Sequence, residues 1–171
     1  MKRIGILGDI GSGKSYIARK FGYPVFDADY EVSKLYQSNK KIFFKLKKAL
    51  PNYIYSFPVE KKQVLEAILD KKNNLKKIVD IVHFEIRKKL KVFLNKNKKK
   101  KIIILDIPLL LENKINHKND ILIFVKSKRS QILKRLIKRK NFNKRLLTRF
   151  RNIQLSLDYK KKKSQFIINN N

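Results

Sequence analysis

Residues 8–15 read GDIGSGKS, a full match to the phosphate-binding loop pattern G-x-x-x-x-G-K-[ST]. No other feature restricts the fold of this chain as strongly, because the pattern works in one setting only, between a buried strand and a helix. Both flanks fit. Ile4-Gly5-Ile6-Leu7 is a short apolar run, and Tyr16-Ile17-Ala18-Arg19-Lys20-Phe21 reads as the first turns of a helix. Gly8, Gly11 and Gly13 let the backbone turn sharply, so that its N–H groups face an anion. Lys14 is placed to reach the β- and γ-phosphates of a nucleotide, and the Ser15 hydroxyl to ligate Mg²⁺. The chain is expected to bind a nucleoside triphosphate.

Five short runs read as strands: Lys2–Leu7, Pro24–Asp27, Lys101–Asp106, Ile121–Val125 and Gln165–Ile168. All but the second are nearly continuous in apolar residues, as strands covered on both faces of a parallel sheet must be. The stretches between them carry helical spacing. They are Ser15–Gly22, the Glu31–Leu50 region, Val59–Leu69, Leu75–Leu94, Ser130–Lys140 and Lys144–Lys163, with Pro51 and Pro58 bracketing a loop. Strands alternating with helices predict an α/β fold built on a five-stranded parallel sheet. No internal repeat or linker is evident, and one domain over residues 1–171 is expected.

Acidic residues number 13 against 44 basic ones, so their positions carry information. Asp27 and Asp29 close the second predicted strand, Asp106 closes the third, and Glu112 follows in Ile107-Pro108-Leu109-Leu110-Leu111-Glu112. Ligands of open parallel sheets sit beyond the carboxyl ends of the strands. Carboxylates there can hold Mg²⁺ or take the proton of an attacking hydroxyl. Either aspartate of the first pair, taken alone, equally suits a helix cap. Gln131, Arg135 and Arg139 follow at i, i+4 and i+8, which predicts one helix face, and Arg145 and Arg149 repeat the spacing after Asn141-Phe142-Asn143. Arginine forks grip phosphate, and an arginine-rich helical pair after the fourth strand suits a mobile lid. His83 and Arg87 share a face at i, i+4, although spacing alone does not single them out.

The formal net charge of +31 suggests a nucleic-acid or membrane surface. Lysine, however, is spread through every segment, Lys96 to Lys101 and Lys160 to Lys163 included, and reads as a background filling exposed positions. No run of about 18 apolar residues is present to cross a membrane. The chain begins directly with a strand, so no signal peptide is expected. Cysteine is absent, which excludes a disulfide scaffold or thiolate metal site and suits a reducing cytoplasm.

Taken together, these residues resemble the dephospho-coenzyme A kinase family within the phosphate-loop kinases. The resemblance rests on GDIGSGKS, on Asp27-Ala28-Asp29, on Pro108-Leu109-Leu110-Leu111-Glu112 and on Gln131-x-x-x-Arg135-x-x-x-Arg139. Gln154 and Phe166-Ile167-Ile168-Asn169-Asn170 extend it. It implies a phosphate-loop NTPase fold with a helical acceptor lobe inserted at about 34–94 and a lid at about 135–150. It also implies transfer of the γ-phosphoryl of ATP, with Mg²⁺, to the ribose 3′-hydroxyl of dephospho-coenzyme A. Asp29 would act as base or hydroxyl-orienting group, with Lys14, Mg²⁺ and the lid arginines Arg135 and Arg139 stabilising charge on the transferring phosphoryl. Gly8, Gly11, Ser12, Gly13, Lys14, Ser15 and Tyr16 would hold the nucleotide, and Ser15 with Asp106 the metal. Asp29, His83, Arg87, Glu112, Arg135 and Arg139 would meet the acceptor and the transferring group. A cytoplasmic monomer without specific nucleic-acid or membrane partners is implied.

Departures from the family pattern are Phe84 after His83, Gln165 in place of an acid, and a chain that stops at Asn171, before the glycine loop expected to hold the base. The last departure implies weak choice between ATP and GTP. Other readings of the same residues are a nucleoside, nucleotide or shikimate kinase, a basic nucleic-acid-binding ATPase, and a binding-only relic. The charge reading is testable directly. Any DNA or RNA binding, followed by fluorescence anisotropy, should ignore sequence and fall steeply between low and physiological salt, as phosphate neutralisation does. A sequence-selective, submicromolar complex at physiological salt would refute it.

Overall fold

The structure is a computed structural model that describes residues 1–139 and 142–171. Lys140 and Asn141, placed by the sequence at the end of the lid helix and in the break after it, lie outside the described residues. In chain order the elements are β1 (Lys2–Gly8), α1 (Lys14–Lys20), β2 (Val25–Asp27), α2 (Ala28–Ser38), α3 (Lys40–Ala49), α4 (Lys61–Asp70) and α5 (Lys72–Lys96). Then follow β3 (Ile102–Asp106), β4 (Ile121–Lys126), α6 (Arg129–Ile137), α7 (Lys144–Asn152), α8 (Leu157–Lys163) and β5 (Phe166–Asn169). Each expected strand is present to within a residue or so of its ends.

The strands form one parallel sheet in the order β2-β3-β1-β4-β5. Its centre is β1, with β3 on one side and β4 on the other. The chain therefore switches sides about β1, and ligands of such sheets bind at the carboxyl end of that switch. The phosphate loop begins there. Continuous apolar runs are needed because both faces of the central strands are covered: Ile103, Ile104 and Leu105 are consecutive and fully buried. On one face Ile4, Ile6, Ile104, Ile123 and Val125 pack with Ala18 of α1, and Phe21, Val25 and Ile168 extend that layer. Strand β5 is an exposed edge, tied to β4 by ladder bonds.

The structure corrects the helical reading in two places. The Glu31–Leu50 region is two helices, because extended Asn39 accepts the Ile42 N–H (3.0 Å) and starts α3 anew. The predicted Lys144–Lys163 helix likewise breaks before Ser156, whose side chain accepts from the Tyr159 N–H (3.2 Å) and caps α8. Both breaks are N-caps placed inside an otherwise helical apolar pattern. A short polar side chain offers the backbone an alternative to continued helix.

The chain divides into two compact units. The first, Met1–Ala28, Val92–Phe142 and Gln154–Asn171, holds the sheet. The second, Asp29–Lys91 and Asn143–Ile153, is helical. In the second unit Leu35, Ile42, Leu46, Ala67, Leu75 and Ile78 are buried, the stripes expected from helical spacing. Arg149 of α7 donates to the carbonyl of Leu69 (2.8 Å) at the end of α4, a contact that spacing on a basic face did not foresee.

Gly5 shows how tightly the central strand is packed. A Cβ there would come 2.5 Å from Leu110 Cδ2 and 2.9 Å from Leu122 Cδ2. Gly5→Ala should lower unfolding free energy by about 1–3 kcal/mol, the usual range for overpacking, in urea titrations. An unchanged midpoint would show that the two leucines relax without penalty.

Candidate nucleotide site

Gly8 ends β1 at φ +146°, and a Cβ there would lie 2.6 Å from the Val125 carbonyl oxygen. Only glycine lets the loop leave the strand so close to β4. The turn that follows is closed by Ser12 N–H donating to the Asp9 carbonyl (3.1 Å), and the Asp9 side chain accepts from the Ile10 N–H (2.7 Å). Lys14 folds back over the loop, its Nζ donating to the carbonyls of Gly8 (3.2 Å) and Asp9 (2.8 Å). Ser12 is buried, and its Oγ has no hydrogen-bond partner among the described residues. Tyr16 is exposed on α1.

Beside the loop, Ser15 donates to the Asp106 carboxylate at the end of β3. Asp106 is 4% exposed, and register places it level with Asp27 of β2. Burial raises the Asp106 pKa above its ordinary value. The Ser15 hydrogen bond and the Lys14 charge oppose that rise, while Asp27 reinforces it. A desolvated carboxylate paired with a hydroxyl suits Mg²⁺, a hard cation that takes oxygen ligands, keeps most of its waters and needs few from protein.

The predicted arginines separate. Helix α6 ends at Ile137, so Arg139 lies beyond its C-cap and is exposed, and the expected shared face of Gln131, Arg135 and Arg139 does not extend that far. Arg135, in the last turn of α6, turns inward. Its Nη1 donates to the Ser12 carbonyl (3.2 Å), the Ser127 hydroxyl (3.0 Å) and the Asn170 carbonyl (3.2 Å).

Glu112 lies after β3 with its side chain 9% exposed. Its Oε1 accepts from the Lys160 ammonium (2.8 Å) and the Leu155 N–H (3.0 Å), whereas Oε2 is buried with no hydrogen-bond partner among the described residues. Lys160 is the largest departure from the sequence reading, which placed it in a solvated lysine run. It is 1% exposed, and its Nζ also donates to Gln154 Oε1 (2.9 Å). The reason is positional. Lys161, Lys162 and Lys163 stay exposed while Lys160 faces inward, and a buried ammonium is tolerable only against a carboxylate. Within a lysine run, composition carries no signal for this residue.

Asp29, His83 and Arg87 belong to the second unit. Asp29 is exposed in the first turn of α2, directly after the end of β2. On α5 the Arg87 Nε donates to His83 Nε2 (3.3 Å), so that nitrogen is unprotonated. Burial first, then the Arg87 charge, lowers the His83 pKa and favours the neutral ring.

A phosphate loop at the switch point of a parallel sheet, a serine hydroxyl on a buried aspartate beside it and an arginine-bearing helix after the fourth strand define a phosphate-loop kinase. The sequence model of the dephospho-CoA kinase family matches residues 2–171. The dephospho-CoA kinase of Wolbachia sp. subsp. Brugia malayi (strain TRS) is 35% identical over 170 residues, covering 96% of this chain and 87% of that protein. Among solved structures, TT1252 from Thermus thermophilus superposes with a TM-score of 0.78 at 25% identity, covering 99% of this chain and 88% of its own. A dephospho-CoA kinase from Campylobacter jejuni has the same fold, with a TM-score of 0.62 at 23% identity and coverage of 99% and 88%. The chain belongs to the dephospho-CoA kinase family and is an ATP-dependent kinase. Among the described residues no helix is long and apolar enough to cross a membrane.

The raised pKa of Asp106 has a sign that can be checked. The folded protein prefers the protonated carboxyl. The stability this contributes is fully present below the ordinary value of 3.8 and is lost as pH rises through the raised value. In metal-free buffer, Asp106→Asn should therefore raise Tm near neutral pH, and the gain should shrink as pH falls towards 3.8. A variant less stable than the parent at neutral pH would contradict this account.

Proposed function

We propose that the chain moves the γ-phosphoryl group of ATP to the ribose 3′-hydroxyl of dephospho-coenzyme A. The observation that carries this reading is the desolvated Asp106 carboxylate, held by Ser15 beside Lys14 at the mouth of the phosphate loop. Gly8, Gly11, Ser12, Gly13, Lys14, Ser15 and Tyr16 hold the nucleotide, with backbone N–H groups on its phosphates. Lys14 exchanges its carbonyl partners for phosphate oxygens. Ser15 and Asp106 hold Mg²⁺, which supplies positive charge against the phosphate oxygens. Asp29 orients the acceptor hydroxyl and takes its proton as the new P–O bond forms and the bond to the ADP oxygen breaks. Arg139, exposed beyond α6, neutralises the transferring group. Arg87 binds the acceptor's phosphates, with neutral His83 accepting from its guanidinium and fixing its direction.

Coupled detection of ADP with dephospho-coenzyme A as acceptor, and a product heavier by one phosphate, would establish the reaction. Shikimate and adenosine should be inert. Lys14→Ala should lower kcat by roughly 10²–10⁴, the scale of losing an electrostatic stabiliser. Asp29→Asn should suppress transfer while leaving ADP binding intact, and should be more damaging than Asp27→Asn. Near-normal turnover of purified Lys14→Ala, or the reverse ranking of the aspartates, would sink these assignments.

A further inference from the structure

The loop that receives the phosphates is held in shape from behind by the segment after β5. A loop that turns its N–H groups towards an anion must turn carbonyls outward, and buried carbonyls need donors. The Ser12 carbonyl has two. Asn170 Nδ2 donates to it at 2.8 Å and Arg135 Nη1 at 3.2 Å. Asn170 is itself fixed on every side. Its N–H donates to the Lys126 carbonyl (2.8 Å), and its own carbonyl accepts from both Nη atoms of Arg135 (3.2 Å each) and from the Ser127 hydroxyl (2.5 Å). The contact is close enough to exclude a side chain at the next position. A Cβ on Gly13, which sits at φ +93°, would lie 2.2 Å from Asn170 Nδ2.

We infer that Asn170, with Arg135 behind it, is a positioning residue that aims the Gly13 N–H at the nucleotide's phosphates. The peptide between Ser12 and Gly13 is trans, the sole cis bond among the described residues being Phe57–Pro58. In a trans peptide the carbonyl and the following N–H point in opposite directions. Pinning the Ser12 oxygen outward therefore sets the direction of the Gly13 donor inward. The cationic Arg135 strengthens the arrangement, since charge-assisted bonds are the stronger kind. This gives Arg135 a task distinct from lid closure: its guanidinium is spent on the back of the loop. It also makes the residue after β5 part of the phosphate site without touching a phosphate. The inference rests on the reading of residues 8–15 as the triphosphate site.

The test compares the parent chain with Asn170→Asp, Asn170→Ala and Ser127→Ala. Asn170→Asp keeps the shape but removes the donor to Ser12. Ser127→Ala removes the hydroxyl that donates to the Asn170 carbonyl and accepts from Arg135, leaving the donor from Asn170 to Ser12 in place. Mg²⁺–ADP affinity by calorimetry, which needs no acceptor, is read beside the KM of each substrate and Tm. Asn170→Asp and Asn170→Ala should each weaken ADP, and raise the KM for ATP, by about 5- to 30-fold, the scale of losing orienting hydrogen bonds. The KM for dephospho-coenzyme A should stay within about twofold, since uniform loosening would move both. Ser127→Ala should fall between. A folded Asn170→Asp with parental ADP affinity would overturn the inference, as would parallel rises in the KM for both substrates. Should Asn170→Ala fail to fold, the other two variants decide the matter in the same way. If the parent chain binds ADP tightly but transfers nothing, the proposed reaction fails, and the ADP comparison still tests Asn170.

Discussion

Backbone N–H groups are weak donors one at a time, and they bind a highly charged phosphate chain only when several converge. Convergence forces the matching carbonyls to the back of the loop, where water is scarce. Asn170 with Arg135 covers the Ser12 carbonyl and the Ser12 N–H closes on Asp9, while Lys14 covers Gly8 and Asp9 until phosphate oxygens take their place. The central position of β1 makes this feasible. Flanked by β3 and β4, it delivers the loop between two strand ends, with Asp106 closing β3 on one side and Ser127 following β4 on the other.

The same economy governs the few acids. The long connection from β3 to β4 carries the Pro108–Glu112 motif and is pinned near both ends by ion pairs with little exposure. Near its start, Glu112 meets Lys160 of α8 and the Leu155 N–H. At its finish, Asp120 meets Arg3 of β1 (3.0 Å) and accepts from the His117 N–H (2.8 Å). Arg3 also reaches the Ile115 carbonyl (3.3 Å). Such pairs offset their desolvation only when geometry is good. Glu112 keeps one oxygen without a hydrogen-bond partner among the described residues, and burial makes Asp106 a reluctant anion.

Phosphoryl transfer asks little covalent chemistry of a protein and much placement of charge. That division is visible here. The end of β3 places Asp106, and the start of α1 places Lys14 and Ser15. Arg139, by contrast, stands exposed beyond the end of its helix, where it is free of the register that holds Arg135. Two arginines four residues apart thus have different surroundings because one lies inside a helix and the other past its C-cap.

What the sequence determined by itself is what contiguous residues encode. The phosphate loop needs eight adjacent residues, and the strands need only their apolar runs, so loop, sheet and alternation of elements are all legible without tertiary contacts. The helix breaks at Asn39 and Ser156 were less legible, because the apolar spacing continues across both while the caps act on single N–H groups. Tertiary structure alone decided the partners of the buried polar groups. Asn170 and Ser12 are 158 residues apart, and nothing near either one announces the other. Lys160 is chemically identical to the exposed lysines that follow it, and only the face on which α8 packs makes it the counter-charge of Glu112. Local pattern fixes what a segment can become. Which donor meets which acceptor follows only when the packed sheet brings distant segments within about 3 Å of each other.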